Sequence, residues 1–239
     1  MNNKNIGAAI VMGILACIGL ALLGYFIAGG IVNLRASERK ITVKGLSERE
    51  VSANIAIWPI KFSDADNDLN RLFSTIQQKN STIVEFLKKQ GFQERDISIS
   101  APAIVDRQSQ GYEGSDKAKF RYSGSSTITV YSENVDSVRK TMERLVDLGK
   151  QGIAISGENY QSKTVFEFTK LNDLKPVMIE EATKNARAVA EKFAQDSKSR
   201  LGKIKSASQG QFSIEDRDSG TPHIKKVRVV STVEYYLSD

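Results

Sequence analysis

The chain has 239 residues, with 34 Lys and Arg against 28 Asp and Glu for a formal net charge of +6, and apolar residues make up 40% of it. This length and composition suit one large or two small globular domains and exclude a short peptide or a wholly disordered chain. One Cys (Cys17) and one His (His223) exclude, within a single chain, a disulfide framework, a Cys-x-x-Cys redox pair, a His/Cys zinc cluster and a histidine dyad.

From Ile6 to Leu34 no residue carries a formal charge, and a helix of that length would extend about 43 Å, beyond the roughly 30 Å hydrocarbon core of a bilayer. No polar stripe recurs every three to four residues, as a buried core helix would show. The segment predicts a transmembrane helix, with Ile6, Leu15, Leu20, Leu23, Phe26 and Leu34 in lipid and residues 1–36 as an N-terminal anchor. A signal peptide is the alternative, with Ala28 and Gly30 as small residues for a peptidase. Its apolar core, however, is usually only about 7 to 15 residues. Cys17 reads as a small lipid-embedded hydrophobe. Arg35, Arg39, Lys40 and Lys44 follow the apolar run while Lys4 precedes it, so local charge alone would leave the rest of the chain in the cytoplasm. That rule weakens for long translocated domains.

Ile41 to Gly45 predicts a short strand and Val51 to Phe62 a longer one, in which Pro59 calls for an edge or a bulge. Asp64 or Asp66 is expected to cap a helix carrying Leu69, Leu72, Phe73, Ile76, Ile83 and Leu87 at helical spacing, ended by Gly91. A strand over Asp96 to Ile104 precedes a polar loop, DRQSQGYEGSDK, that contains Tyr112. Beyond it Phe120, Tyr122, Ile128 and Val130 alternate with Lys119, Arg121, Thr127 and Thr129, the clearest strand pattern in the chain. Asn134 caps a second helix through Val135, Val138, Met142 and Leu145, which ends at Gly149 before a strand over Gly152 to Ser156.

This order, strand, helix, strand, strand, helix, strand, is that of a ferredoxin-like βαββαβ unit over 41–160, with antiparallel strands and helices on one face. A second, βαββ unit is expected over 161–239: a strand at Thr164 to Phe168, a helix over Asn172 to Ser199, and strands Lys203 to Gln209 and Lys225 to Leu237. A long polar loop, Ser213 to Ile224, joins the last two. The fold class is thus α+β. In the long helix Ala182, Ala186, Ala190 and Ala194 fall four apart, a face for close approach of either the sheet or a neighbouring subunit.

Little catalytic chemistry is visible. His223 sits in the loop sequence DSGTPHI near Asp216 and Asp218, so a base with a carboxylate is conceivable, although a solvated loop histidine has the same look. No G-x-S-x-G elbow, phosphate-binding loop or H-E-x-x-H occurs. Asp216 and Asp218 lack the spacing of a calcium loop. Glu180 and Lys184 form a helix-surface pair. No catalytic residue, metal or cofactor is assigned. The part beyond Leu34 carries a net +5, and its basic clusters at Lys117/Lys119/Arg121 and Lys225/Lys226/Arg228 have no aromatics interleaved on the same polar face, which argues against a nucleic-acid partner.

From Ile41 to Leu237 the chain resembles the SIMPL-domain family of bacterial envelope proteins, some of them periplasmic and linked to oxidative-stress defence. The resemblance is carried by ITVKGLSEREVSANIAIW, by FRYSGSSTITVYSENVDSVRKTMERLVDLG, by ISGENYQSKTVFEF and by the Ala-rich ATKNARAVAEKFAQDSKSRLGKIKSAS, with Leu201-Gly202 closing the helix. It implies a domain, residues 37–239, outside the cytoplasm, and large ring-like oligomers in some relatives. It transfers no catalytic residue. The expectation is a non-enzymatic protein of the bacterial inner membrane, single-pass, with its C-terminal domain in the periplasm or outside the cell, that self-associates or binds partners. Contacts are expected on the alanine stripe and on the loops bearing Tyr112 and His223. The alternatives are a scaffold subunit of a secretion or division assembly and an enzyme of another type.

Overall fold

The computed structural model describes residues 12–27, 39–109, 119–157 and 162–238. Helix α1 covers 12–27 and every one of its residues is exposed. Among the described residues no helix is long and apolar enough to cross a membrane. Of the anchor residues, Leu15, Leu20, Leu23 and Phe26 lie in α1, whereas Ile6 and Leu34 lie outside the described residues.

The remaining elements are strands β1 (Lys40–Ser52), β2 (Ile55–Asp66), β3 (Ile97–Ile99), β4 (Ala103–Asp106), β5 (Tyr122–Ser132), β6 (Val165–Glu167), β7 (Arg200–Gln209), β8 (Ser213–Asp216) and β9 (Ile224–Ser238). The helices are α2 (Leu69–Lys89), α3 (Val135–Glu143), α4 (Val146–Lys150) and α5 (Leu171–Asp196). Two sheets form: β1-β9-β7 with β8 on β9, and β3-β5-β2-β6 with β4 on β5. The chain divides into two compact units. One comprises the chain up to Glu48 with Leu174–Ser213 and the segment from Arg228; the other comprises Arg49–Asp173 and Ile214–Val227. The expected cut at 160/161 is replaced by this interleaved division, because β1, near the start of the sequence, pairs with β9, near its end.

In the second unit the strand order is that of a ferredoxin-like sheet. Residues Ala56, Trp58, Ile60 and Phe62 of β2 lie opposite Ser132, Val130, Ile128 and Ser126 of β5, so one face of both strands is buried, apolar except for the two serines. Helix α2 lays Leu72, Ile76, Ile83 and Leu87 on that face. Burying each such side chain stabilises the fold by roughly 1.5–3 kcal/mol. The cap of α2 is Asp68, whose carboxylate accepts from Arg71 N–H at 2.9 Å, and not Asp64 or Asp66. Asp66 accepts instead from the Arg71 guanidinium, at 2.6 Å from both Nε and Nη2, and Asp64 pairs with Lys79 at 2.6 Å. At the other end Gly91 takes φ +98°, as expected for the residue that stops a helix.

Thr164 to Phe168, expected to open the βαββ unit of 161–239, supplies β6, which pairs antiparallel with Ile55–Ile57 of β2. The expected strand at Gly152 to Ser156 is reduced to one bridge, Phe62 with Ile155. Pro59 lies between these two pieces. The Lys61 carbonyl points to this edge, accepting from Ser156 N–H at 2.7 Å. Two residues away in an antiparallel ladder, Pro59 faces the same edge with no N–H to donate, and there the fourth strand is interrupted.

In the first unit α5 packs on β1 and β9 around Val43, Ala186, Ala190, Val233 and Tyr235. Ala182, Ala186, Ala190 and Ala194 are all buried. The stripe is therefore occupied by the chain's own sheet and is not left open for a neighbouring subunit. Ser47 donates to Glu181 at 3.0 Å and Asn185 donates to the Leu46 carbonyl at 2.8 Å, which fixes the helix against β1. Strand β7 is an edge, and nearly all its residues are exposed.

Candidate binding cleft around His223

Three local structures converge within the second unit. The first is the turn at Ala53–Asn54, inside the segment expected to be one strand from Val51. Asn54 N–H donates to the Glu167 carbonyl at 2.9 Å. Its amide nitrogen donates to Thr169 Oγ1 at 2.9 Å while its amide oxygen accepts from Thr169 N–H at 2.8 Å. The turn is thereby clamped to the chain after β6.

The second is the start of α3. Asn134 accepts from Ser137 N–H at 3.0 Å, the cap read from sequence, and its own N–H donates to Ser132 Oγ at 3.1 Å. Glu133 and Asp136 flank it.

The third is the turn from Arg217 to His223. Asp218 organises it: one carboxylate oxygen accepts from Gly220 N–H at 2.8 Å and Thr221 N–H at 2.7 Å, and the other accepts from the Thr221 hydroxyl and, at 2.9 Å, from Arg217 Nε. The Thr221 hydroxyl first and the Arg217 guanidinium second hold the Asp218 pKa down to about 2. Arg217 also reaches Glu50 at 3.4 Å.

His223 closes the arrangement. Its carbonyl accepts from Ala53 N–H at 2.8 Å, and its ring meets Phe166 edge-on with centroids 6.0 Å apart. Burial, then the positive charges of Arg139 and Arg217, lower its pKa, against the weaker opposing pull of Asp136 and Asp218. The imidazole is therefore neutral at neutral pH, with one nitrogen to donate and one to accept.

Between these structures lies a cleft of about 640 Å³ bordered by Asn54, Glu133, Asn134, Asp136, Lys170 and His223, with Phe168 as an apolar wall. It offers two carboxylates, one ammonium, an imidazole and two amides, a mixed set of donors and acceptors suited to a polar ligand carrying charge of both signs.

The base-and-carboxylate arrangement conceivable from sequence is not assembled. Asp216 is ion-paired with Lys225, Asp218 is taken up by its own turn, and His223 donates to no carboxylate among the described residues. Among those residues no group of three or more His, Cys, Asp and Glu is placed to hold a metal. Tyr112 lies outside the described residues. Asn54, Glu133 and Lys170 were not singled out by sequence. The signal for Asn54 was the Ser-Ala-Asn interruption of an otherwise apolar strand.

An α+β fold of this kind, with a cleft around His223 and no catalytic set assembled among the described residues, defines a class by architecture more than by chemistry. The family model for SIMPL, a protein of unknown function (DUF541), matches residues 41–235, and the chain belongs to the SIMPL family. No curated protein matches it.

Proposed function

We propose that the chain is a membrane-anchored binding protein of the bacterial envelope, with its SIMPL domain outside the cytoplasm, and that it acts by self-association or by holding a partner and not by catalysis. One observation carries the anchoring: α1 is apolar along its length and exposed throughout, with Leu15 at 63% and Phe26 at 72%. An apolar surface of this extent on a protein marks contact with a membrane or another protein. The uncharged run from Ile6 to Leu34 supplies the length that a bilayer needs. The His223 cleft supports the binding half of the reading, since the Asn54 and Asn134 amides are fixed by their own hydrogen bonds beside the charged Glu133, Asp136 and Lys170. A role in stress tolerance follows from the family resemblance alone.

Alkaline carbonate extraction of membranes expressing the full chain tests the anchor. The protein stays in the pellet on this account; release into the supernatant would rule the anchor out. Light scattering of the detergent-solubilised chain, corrected for bound detergent, tests self-association, with a defined oligomer expected and a monomer counting against it.

A further inference from the structure

A second groove lies wholly within the first unit, between α5 and β7, with a volume of about 660 Å³. Its charged lining is Lys184, Arg187 and Lys203, and no carboxylate borders it. Lys184 and Arg187 each share their charge with an exposed glutamate on the same helix, Glu180 at 2.6 Å and Glu191 at 3.0 Å. Such solvated i,i+4 pairs are weak and exchange readily for a better anion. Lys203 has no acidic partner among the described residues.

The groove's other wall carries Leu201 and Ile204 beside Lys203. Leu201, Gly202, Lys203 and Ile204 are consecutive, yet all four border it. In a regular strand alternate residues would point to opposite faces. Here the register of β7 against β9 slips twice, between Leu201 and Ile204 and between Ile204 and Ser206, and a bulge of this kind re-aims side chains. Gly202 permits it: a Cβ there would lie 2.9 Å from the Tyr236 carbonyl oxygen. Ile204 is left 50% exposed.

An independent observation comes from Tyr235, which borders the groove while only 3% exposed. Its hydroxyl, open at the groove, makes no hydrogen bond among the described residues and is free to donate to a ligand. Burial raises its pKa, so at neutral pH it remains a donor.

We propose that this groove binds an anionic amphiphile, a carboxylate or phosphate monoester on an apolar chain, with Lys203, Arg187 and the Tyr235 hydroxyl at the head and Leu201 and Ile204 along the chain. A cationic end lined by no carboxylate, a free phenolic donor and an exposed aliphatic wall match the two halves of such a molecule. Membrane lipids and free metabolites both carry a head of this chemistry, and the experiment separates them.

The full chain in neutral detergent is titrated with hexyl phosphate by calorimetry, beside hexanol and inorganic phosphate. Hexyl phosphate is expected to bind at least tenfold more tightly than either. Lys203→Gln and Arg187→Gln should each weaken it about tenfold, Tyr235→Phe severalfold, and Lys203→Arg little. Lys203 and Arg187 are exposed and Tyr235→Phe keeps the buried ring, so the variants fold, which unchanged thermal midpoints would verify. Hexanol or inorganic phosphate binding as well as hexyl phosphate, or an unaltered Lys203→Gln variant, overturns the proposal. In nanodiscs, slowed amide exchange over residues 200–205 with phosphatidylglycerol but not phosphatidylcholine assigns the head to a lipid. Slowed exchange only on adding hexyl phosphate assigns it to a free anion, and slowed exchange under neither condition overturns the proposal.

Discussion

Gly45 of β1 and Ala182 of α5 meet backbone to backbone: a Cβ added to Gly45 would lie 1.9 Å from the Ala182 carbonyl oxygen and 2.4 Å from the Ala186 nitrogen. Neither obstacle is a side chain that can rotate away. The alanine stripe and the glycine are thus two halves of one packing solution, in which absence of side-chain bulk on both elements brings helix and strand together.

Gly45→Ala is accordingly expected to destabilise the fold by an amount at or above the upper end of the roughly 1–3 kcal/mol typical of overpacking. Ala186→Leu should act in the same direction. Urea unfolding reads the loss as a lowered midpoint with little change in slope. A Gly45→Ala protein as stable as the parent would mean that α5 does not sit on β1 in this way.

Asn80 gives a prediction of opposite sign. It is buried in α2, and its amide oxygen has no hydrogen-bond partner. An unsatisfied buried acceptor costs about 1–3 kcal/mol, so Asn80→Leu should raise stability by about 1 kcal/mol after allowing for its different shape. The same urea experiment checks it, and a destabilised Asn80→Leu variant would show that the oxygen is satisfied in solution.

His223 is the only histidine, so its ring proton resonances can be followed without assignment ambiguity. Burial together with Arg139 and Arg217 lowers its pKa from 6.5 in the fold. The unfolded chain therefore takes the proton first as pH falls. The stability linked to neutral His223 is complete above 6.5 and is lost below it until the folded-state midpoint has been passed. NMR titration should give a midpoint below 6.5. Arg139→Gln should raise it, since it removes a cation and leaves Asp136 unpaired. A midpoint above 6.5 would contradict the buried placement.

Asp218 titrates in the fold at about 2 against an ordinary 3.8. A depressed carboxylate contributes stability that is present above its unfolded value and declines as pH falls through its folded value, here between about 4 and 2. Asp218→Asn should flatten that part of the acid-unfolding curve and speed amide exchange at Gly220 and Thr221. Unchanged exchange at both amides would show that Asp218 does not hold the turn.

Local chemistry was legible in the sequence, and long-range pairing was not. The helical spacing of Leu72, Ile76, Ile83 and Leu87, the Asn134 cap and the stop at Gly91 each follow from a few neighbouring residues. The pairing of β1 with β9 does not, because no local pattern says which distant strand completes a sheet. Strand β8 escaped notice for a simpler reason: its four residues are all exposed, so no alternation betrays it. The candidate cleft was half visible. His223 stood out as the lone histidine, whereas Asn54 and Lys170 reach the same place only through the fold. The acidic neighbours of His223 in sequence, Asp216 and Asp218, proved to be engaged elsewhere, so closeness along the chain was a poor guide to chemistry.

The anchored, outward-facing reading rests on a helix that contains the chain's single cysteine, Cys17. A membrane-impermeant maleimide applied to intact spheroplasts therefore tests it directly. Cys17 should stay unlabelled until the bilayer is dissolved, whereas a Cys17→Ser chain carrying Ser219→Cys, in the exposed turn beside Asp218, should label without lysis. Labelling of Cys17 in intact membranes would contradict the anchor, and labelling of the Ser219→Cys chain only after lysis would place the domain on the cytoplasmic side.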